Sequence, residues 1–168
     1  PLLAFNAGLH VAAAHGMSLS VLAGISANAS VPVSLVVAEL GLRFGRERVV
    51  RAVSLASVAL AVTLGALATS SFLVVLALSM LHGASSYGDA GAINGGLMAS
   101  SRPETRSAAL ALFGLFGFTF GFLGPLAVGL TLQATGGTSS PAAWFAALLV
   151  VGFGSVVSAA AMGLSAKR

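Results

Sequence analysis

Charged side chains are scarce in this sequence. Its 168 residues include eight Lys or Arg and four Asp or Glu, which together make 7% of the chain, whereas about 25% is usual for a soluble domain. Hydrophobic residues make 57%, and 21 residues are glycine. The apolar runs are long and rich in Ala, Leu, Val and Gly, without the strict alternation of a transmembrane β-barrel. The composition therefore excludes an ordinary soluble domain and predicts an all-α integral membrane protein.

Cysteine is absent altogether, which excludes a disulfide framework, a thiolate nucleophile and a zinc–thiolate site. The sequence also lacks a nucleophile elbow, a phosphate-binding loop and a pair of catalytic carboxylates. His10 and His15 have no acidic neighbour in the sequence, which is a poor arrangement for a metal site. We therefore expect neither an enzyme nor a resident cofactor or metal.

The formal net charge of +4 would suit a nucleic-acid partner, but the basic residues are not spread over a surface. All eight fall in three short clusters: Arg43, Arg46, Arg48 and Arg51; Arg102 and Arg106; Lys167 and Arg168. Basic residues confined to the ends of apolar stretches mark the cytoplasmic side of a membrane. The sequence thus favours the lipid bilayer as a partner and does not support nucleic acid.

Five stretches of the chain are long and apolar enough to cross a bilayer, for which a helix needs about 20 residues. They run over approximately residues 16–40, 49–68, 71–98, 107–132 and 142–164. The basic clusters follow the first, third and fifth stretches, and this alternation predicts a protein of the cell membrane with a cytoplasmic C-terminus. Residues 1–15 are too short to span alone and form either an external segment or the tail of a truncated helix.

Two further features bear on the span count. Trp144 stands at the outer end of the fifth span, where an amphipathic ring is expected at the membrane interface. The chain begins at Pro1 without Met or a basic flank, so we take this as an internal start. An odd number of spans then suggests an even-numbered unit that has lost its first helix.

The connection between the first two spans, residues 39–48, carries a recognisable motif and reads ELGLRFGRER. It resembles the conserved loop of the major facilitator superfamily, in which a glycine and an acid precede Arg-x-Gly-Arg/Lys. Arg43, Gly45 and Arg46 match the basic core, whereas Leu42 stands in place of the acid and Ala38 in place of the leading glycine. That superfamily carries the loop after the second helix of each six-helix half, in degraded form in the second half. The resemblance therefore implies an incomplete six-helix half, the C-terminal one.

The fourth span carries a second resemblance, because its glycine-rich sequence with a Gly-Pro ending is similar to the fifth helix of a superfamily half. Helical periodicity places one stripe of small residues along it. The stripe consists of Gly114, Gly117, Gly121, Gly124 and Pro125. Bare backbone lets a neighbouring helix approach closely, and a proline permits a kink. The stripe is therefore interpreted as a packing face or, alternatively, as a hinge.

The resemblance implies a secondary active transporter, a proton-coupled permease that moves a small solute by alternating access. In that family two six-helix halves rock about a central substrate site, so the implied partner is an N-terminal half. Arg43, Gly45, Arg46 and Arg48 would form a cytoplasmic gate loop that pairs with acids or helix ends and releases them on rocking. The alternative is that these arginines only set the orientation of the chain.

Polar side chains at membrane depth indicate a transport pathway, because a charge at mid-bilayer costs about 2.5–3.5 kcal/mol on insertion scales. Asp89 falls near the middle of the third span without a basic neighbour, and it shares one helix face with His82 and Ser86. We expect Asp89 to bind a proton or a cationic group of the substrate, and His82 to share its proton. Alternatively, Asp89 is a protonated group that ties two helices together.

Three further polar residues complete the predicted pathway. Tyr87 and Asn94 share a second face of the third span, and two polar faces suit a cavity wall better than a lipid face. Asn28 lies on a small-residue face of the first span, where it either contacts substrate or forms interhelical hydrogen bonds. Glu39 precedes Arg43 by four residues, which predicts a salt bridge at the membrane edge.

Two other functions fit the same features. A non-transporting helical scaffold or assembly partner would use the polar faces for packing alone and would need no solute gradient. An unrelated helical channel or exporter would use them to line a different kind of pathway.

Overall fold

The computed structural model describes residues 2–9 and 19–165. Within these ranges the chain is helical and contains no strand. Six helices follow one another: α1 Leu2–Leu9, α2 Leu19–Phe44, α3 Arg46–Ala66, α4 Phe72–Ser100, α5 Arg106–Ala134 and α6 Pro141–Ser165. The prediction of an all-α protein is therefore confirmed.

The five long helices, α2 to α6, coincide with the five predicted spans. Within the described residues, three of them are both long and apolar enough to cross a membrane, namely α3, α5 and α6. Their ends lie within a few residues of the predicted ones, and α3, for example, begins three residues earlier, at Arg46, and ends two residues earlier, at Ala66. The predicted first span starts at residue 16, but residues 10–18 lie outside the described part of the chain.

The connection between α2 and α3 is a single residue, Gly45. Its φ of +90° is left-handed, a conformation that glycine adopts without steric penalty, and its carbonyl oxygen accepts a hydrogen bond from the Val49 N–H. The predicted gate loop of residues 39–48 is therefore wrong in its length, because only Gly45 lies outside the two helices. Arg43 belongs to the last turn of α2, whereas Arg46 and Arg48 belong to the first turn of α3.

Closely approaching backbones hold α3 and α6 together in antiparallel orientation. Ser54 near the start of α3 bonds to Ser158 near the end of α6. Toward the other end Gly65 faces Phe145 so closely that a Cβ on the glycine would lie 2.8 Å from the Phe145 ring. In a membrane, such contact replaces the hydrophobic driving force that holds soluble helices together.

Glycines play the same part between α2 and α4, which run parallel. A Cβ at Gly91 would lie 2.5 Å from the Ser34 carbonyl oxygen, so the two backbones touch. Farther along both helices, Gly41 packs against Ala92. Since α3 packs on both α4 and α6, α2, α3, α4 and α6 form one closely packed unit.

The described arginines of the first cluster lie at one end of the bundle. Arg46, at the start of α3, lies against Gly96 near the end of α4, and Arg51 lies against Gly163 near the end of α6. The chain passes from α4 to α5 at the same end, where the second cluster lies. We call it the basic end. The third cluster, residues 167–168, lies outside the described residues.

The opposite end is closed by α1. Asn6 is fully buried, and its side-chain amide donates two hydrogen bonds of 2.9 Å to carbonyl groups of the α3–α4 turn. Trp144 is 3% exposed, contacts Phe5 with ring centroids 5.9 Å apart, and donates from Nε1 to the Thr138 carbonyl oxygen. Trp144 therefore lies at the predicted end of α6, opposite the basic end, and its ring is buried between α1 and the α5–α6 turn.

Helix α5 is the most exposed of the long helices and packs mainly on α6. It continues through Pro125 without interruption. A Cβ at Gly114, Gly117, Gly121 or Gly124 would meet no atom within 4 Å. No described helix packs on the predicted glycine stripe, so the expected close contact is absent from the described part of the chain.

The α2–α4 contact predicts the effect of adding one methyl group. Gly91→Ala should destabilise the bundle, because its Cβ would lie 2.5 Å from a backbone oxygen. Overpacking costs about 1–3 kcal/mol, more than the gain of roughly 1 kcal/mol in helix propensity. Unfolding of the purified protein in mixed detergent, followed by circular dichroism, measures the difference.

The matched control is Gly95→Ala, one turn along the same helix. A Cβ there would meet nothing within 4 Å, so this variant should be as stable as the parent or slightly more stable. Equal stability of the Gly91 and Gly95 variants would contradict the close backbone contact.

Candidate functional site

Ser57 is the centre of a polar cluster inside the bundle. It lies midway along α3 and is 1% exposed. Its Oγ lies 3.0 Å from Ser86 Oγ and 3.5 Å from His82 Nδ1, both on α4. It also accepts a 3.3 Å hydrogen bond from Ser155 Oγ on α6. Three largely apolar helices therefore meet through one hydroxyl group.

A second hydroxyl pair lies one turn nearer the basic end. Ser54 Oγ on α3 donates to Ser158 Oγ on α6 at 3.2 Å, and Ser54 is buried. We call the whole group the serine–histidine cluster. It consists of Ser54, Ser57, His82, Ser86, Ser155 and Ser158.

Helical spacing explains why these side chains meet. The two serines of α3 are three residues apart, as are the two of α6, whereas His82 and Ser86 of α4 are four apart. Each pair therefore lies on one face of its helix. Because a hydroxyl or imidazole is costly to leave in apolar surroundings without a partner, these faces turn toward one another.

The cluster can relay a proton or tie three helices together. A serine hydroxyl has one proton to donate and lone pairs to accept others. Since Ser155 donates to Ser57, the Ser57 proton is available either to Ser86 or to Nδ1 of His82, according to the tautomer of the imidazole. A neutral imidazole accepts at one nitrogen and donates from the other, so His82 can extend the chain.

The predicted pathway residues of α4 are brought together in part. His82 and Ser86 meet at Ser57. The side chains of Asp89 and Tyr87 lie outside the described part of the structure, although both residues belong to α4. Asp89 follows His82 by about two helical turns, so its position is on the same face of the helix.

The two predicted asparagines do not join the cluster. Asn28 is exposed on α2, and its Nδ2 donates to the Gly24 carbonyl oxygen of its own helix at 2.8 Å. This bond lies within one helix, so the described structure does not show the interhelical bond that was one of the two alternatives for Asn28. Asn94 is half-buried on α4, on the side of the cluster that faces the basic end.

The predicted gate residues have three different environments. Arg43 forms the predicted salt bridge with Glu39, with Nε 2.8 Å from Oε1. Arg46 lies across Gly96, where a Cβ would come within 3.2 Å of Arg46 Cδ. Arg48 is exposed. One arginine is therefore held in an ion pair, one lies against α4, and one is open to its surroundings.

Sequence reasoning missed the four serines of α3 and α6. Their one signal was a spacing of three residues inside apolar runs, which is common in membrane helices, and only the antiparallel α3–α6 contact brings them to α4. Among the residues that the structure describes, no three His, Asp or Glu side chains gather as metal ligands would. The donors and acceptors that do converge are hydroxyl groups and one imidazole.

Replacing Ser57 with Ala removes the shared partner of three groups. Interhelical hydrogen bonds in membrane proteins average about 0.6 kcal/mol and reach about 1.7 kcal/mol. We therefore expect Ser57→Ala to lower the free energy of unfolding by roughly 1–2 kcal/mol, and Ser54→Ala, which loses one bond, by less. A double-mutant cycle with Ser155→Ala measures the coupling. Equal losses in the two single variants, with no Ser57–Ser155 coupling, would mean that Ser57 is not a hub.

Comparison of the chain with models of protein families, with curated proteins and with solved structures finds no match. Function is therefore inferred from the residues and their arrangement.

Proposed function

We propose that this chain forms part of a secondary active transporter of the major facilitator type, which moves a small solute, coupled to protons, by alternating access. The resemblance of residues 39–48 and of the glycine stripe to that superfamily favours this family. A second six-helix bundle would complete the transport pathway. The observation that carries the proposal is the serine–histidine cluster, a polar site at mid-depth in an apolar bundle.

Polar groups at this depth favour a transport role. Ionisable residues inside membrane helices are costly, and they mark substrate pathways and proton relays. Ser57 and His82 lie in the middle parts of α3 and α4, and α4 also carries Asp89 about two turns from His82. A carboxyl group and an imidazole on one helix face suit proton exchange. Asp89 is the proposed acceptor of the proton or cationic group. His82, about 10 Å away along the helix, would share that proton through Ser86, which lies between them on the same face.

The packing suits motion of the bundle as a rigid body. Gly91 holds α4 against α2, Gly65 holds α3 against α6, and the packing of α3 on α4 joins the two pairs. The glycine stripe of α5, in contrast, faces no described helix. Beside that stripe Phe118 is 84% exposed, which is typical of a surface that meets lipid or another bundle. In the proposed transporter, the closely packed unit rocks and the free face of α5 meets the other half.

The arginines of the α2–α3 turn are the proposed gate. Within the described residues, Glu39–Arg43 is the one ion pair, so Arg46 and Arg48 have no acidic partner there. Such arginines can pair with an acid or a helix C-terminus of a moving neighbour and release it again. The simpler role, setting the orientation of the chain, requires their charge alone.

The scaffold alternative rests on one observation. The described partners of Ser57 are all protein groups on neighbouring helices, as expected for polar contacts that hold membrane helices together. In this alternative the cluster is dry, whereas in a transporter water reaches at least one side of it.

Because the chain has no cysteine, single cysteines can test this difference without background labelling. Ser86→Cys places a thiol in the cluster on an exposed position of α4, and Phe153→Cys places one midway along α6 at a side chain that is 68% exposed. A membrane-impermeant methanethiosulfonate should modify the thiol of Ser86→Cys at least roughly ten times faster than that of Phe153→Cys, because thiolate formation needs water. Equally slow modification of both would contradict a transport pathway and support a scaffold.

Asp89→Asn keeps the size of the side chain and removes its titratable proton. We expect the loss of most proton-driven uptake, roughly tenfold or more, with normal membrane insertion. The measurement uses protein expressed from its intact gene, proteoliposomes with an imposed proton gradient, and a panel of labelled sugars, amino acids, organic acids and amines. Thr63→Ala, which loses a bond within its own helix at an exposed position of α3, is the control and should transport normally. Uptake by Asp89→Asn with unchanged rate and pH dependence would remove Asp89 from the pathway.

A further inference from the structure

An open depression of about 960 Å³ lies at the basic end, between the end of α2, the start of α3 and the end of α4. Its charged lining residues are Arg46, Glu47 and Arg48, and its apolar ones include Leu42, Phe44 and Ile93. Along α3, Arg46 lies about 16 Å from Ser57, and Val50, the lining residue of α3 nearest to it, about 10 Å. It is therefore separate from the serine–histidine cluster.

Two glycines position Arg46 in this depression. A Cβ at Gly96 would lie 3.2 Å from Arg46 Cδ and 3.4 Å from Nη1, and a Cβ at Gly41 would lie 3.4 Å from Arg46 Cγ. Larger residues at either position would occupy the space of the arginine. The side chain thus lies in a groove between α2 and α4 that bare backbone keeps open.

The charge of the depression favours an anion. Arg46 and Arg48 contribute two positive charges and Glu47 one negative charge, and among the described residues neither arginine forms an ion pair. The first turn of α3 begins in the depression, and its N–H groups carry the partial positive charge of a helix N-terminus. Arginine is the side chain best suited to phosphate, because its planar guanidinium can donate two parallel hydrogen bonds.

Apolar side chains beside these cations favour an amphiphile over a free ion. Leu42 is 68% exposed and Phe44 63% exposed, both in the last turn of α2. Three of the described helices are long and apolar enough to cross a membrane, and in a bilayer the basic end would place these side chains close to the headgroup level. A basic pocket between membrane helices is a setting in which anionic lipid headgroups bind.

We propose that this depression binds the phosphate group of an anionic membrane lipid, with Arg46 and Arg48 contacting the phosphate and the acyl chains lying along Leu42 and Phe44. Glu47 reduces the formal charge of the depression from +2 to +1. The inference does not depend on transport, because a scaffold with the same surface would bind the same lipid.

Phosphatidylglycerol is the probe, titrated into the purified full chain in detergent and counted by native mass spectrometry. We expect it to bind more tightly than phosphatidylcholine, whose choline group cancels the phosphate charge. Loss of one arginine near a lipid headgroup should weaken binding roughly fivefold, so Arg46→Gln should show that loss. Gly96→Leu should show a similar or larger loss, because its side chain would displace Arg46.

Arg51→Gln is the matched control. It removes the same charge from the same cluster, but Arg51 lies against Gly163 of α6 and does not line the depression. It should change the affinity for phosphatidylglycerol less than twofold, within roughly the effect of a screened distant charge. Circular dichroism checks folding, and Arg46→Gln carries the test if Gly96→Leu does not fold.

Three outcomes would overturn the proposal. Equal affinity for the two lipids would show that the headgroup charge is not recognised. Equal losses in Arg46→Gln and Arg51→Gln would show attraction to the basic end in general, not to the depression. Displacement of phosphatidylglycerol by millimolar inorganic phosphate would identify a free-phosphate site in place of a lipid site.

Discussion

Close backbone contact between helices is the constraint on which the rest of this structure depends. In lipid, apolar surfaces gain little by turning away from their surroundings, so helices associate through van der Waals contact and hydrogen bonds. Gly91 against Ser34 and Gly65 against Phe145 bring backbones together where any side chain would keep them apart. The serine–histidine cluster follows from this spacing, because a serine hydroxyl is short and reaches the next helix only when the two backbones nearly touch.

The two ends of the bundle differ in the polar groups that they carry and in how those groups are paired. At the end closed by α1, carbonyl groups of the α3–α4 turn would be costly to leave without partners, and the buried amide of Asn6 supplies two of the donors. At the basic end, a connection of one glycine keeps α2 and α3 close and places Arg43 and Arg46 on either side of it. One end is therefore tied together by buried polar contacts, while the other presents charge to its surroundings.

Local sequence patterns predicted the long helices. They did not predict the features that depend on which helices pack against one another. Apolar runs located α2 to α6, and the four-residue spacing of Glu39 and Arg43 predicted their salt bridge, because both follow from one helix alone. Ser57 could not be found in this way, since its importance arises from the meeting of three helices. The glycines of α5 show the converse: their pattern indicates close packing, yet the close contacts described above involve glycines of α2, α3 and α4. The burial of Trp144 was missed for a similar reason, because it depends on α1, which folds against a distant part of the chain.

Arg46 takes part in both the proposed gate and the proposed lipid site, and the two roles exclude each other at any one moment. A guanidinium that holds a lipid phosphate cannot also pair with an acid of a neighbouring bundle. A ligand shifts a conformational equilibrium only by its difference in affinity for the two states. The depression is built from α2, α3 and α4, which the Gly91 and Gly41 contacts hold in one unit, so rigid-body rocking would leave its shape unchanged. Any effect of the lipid on the gate would therefore come from competition for Arg46 and would favour the state in which the gate is open at the basic end.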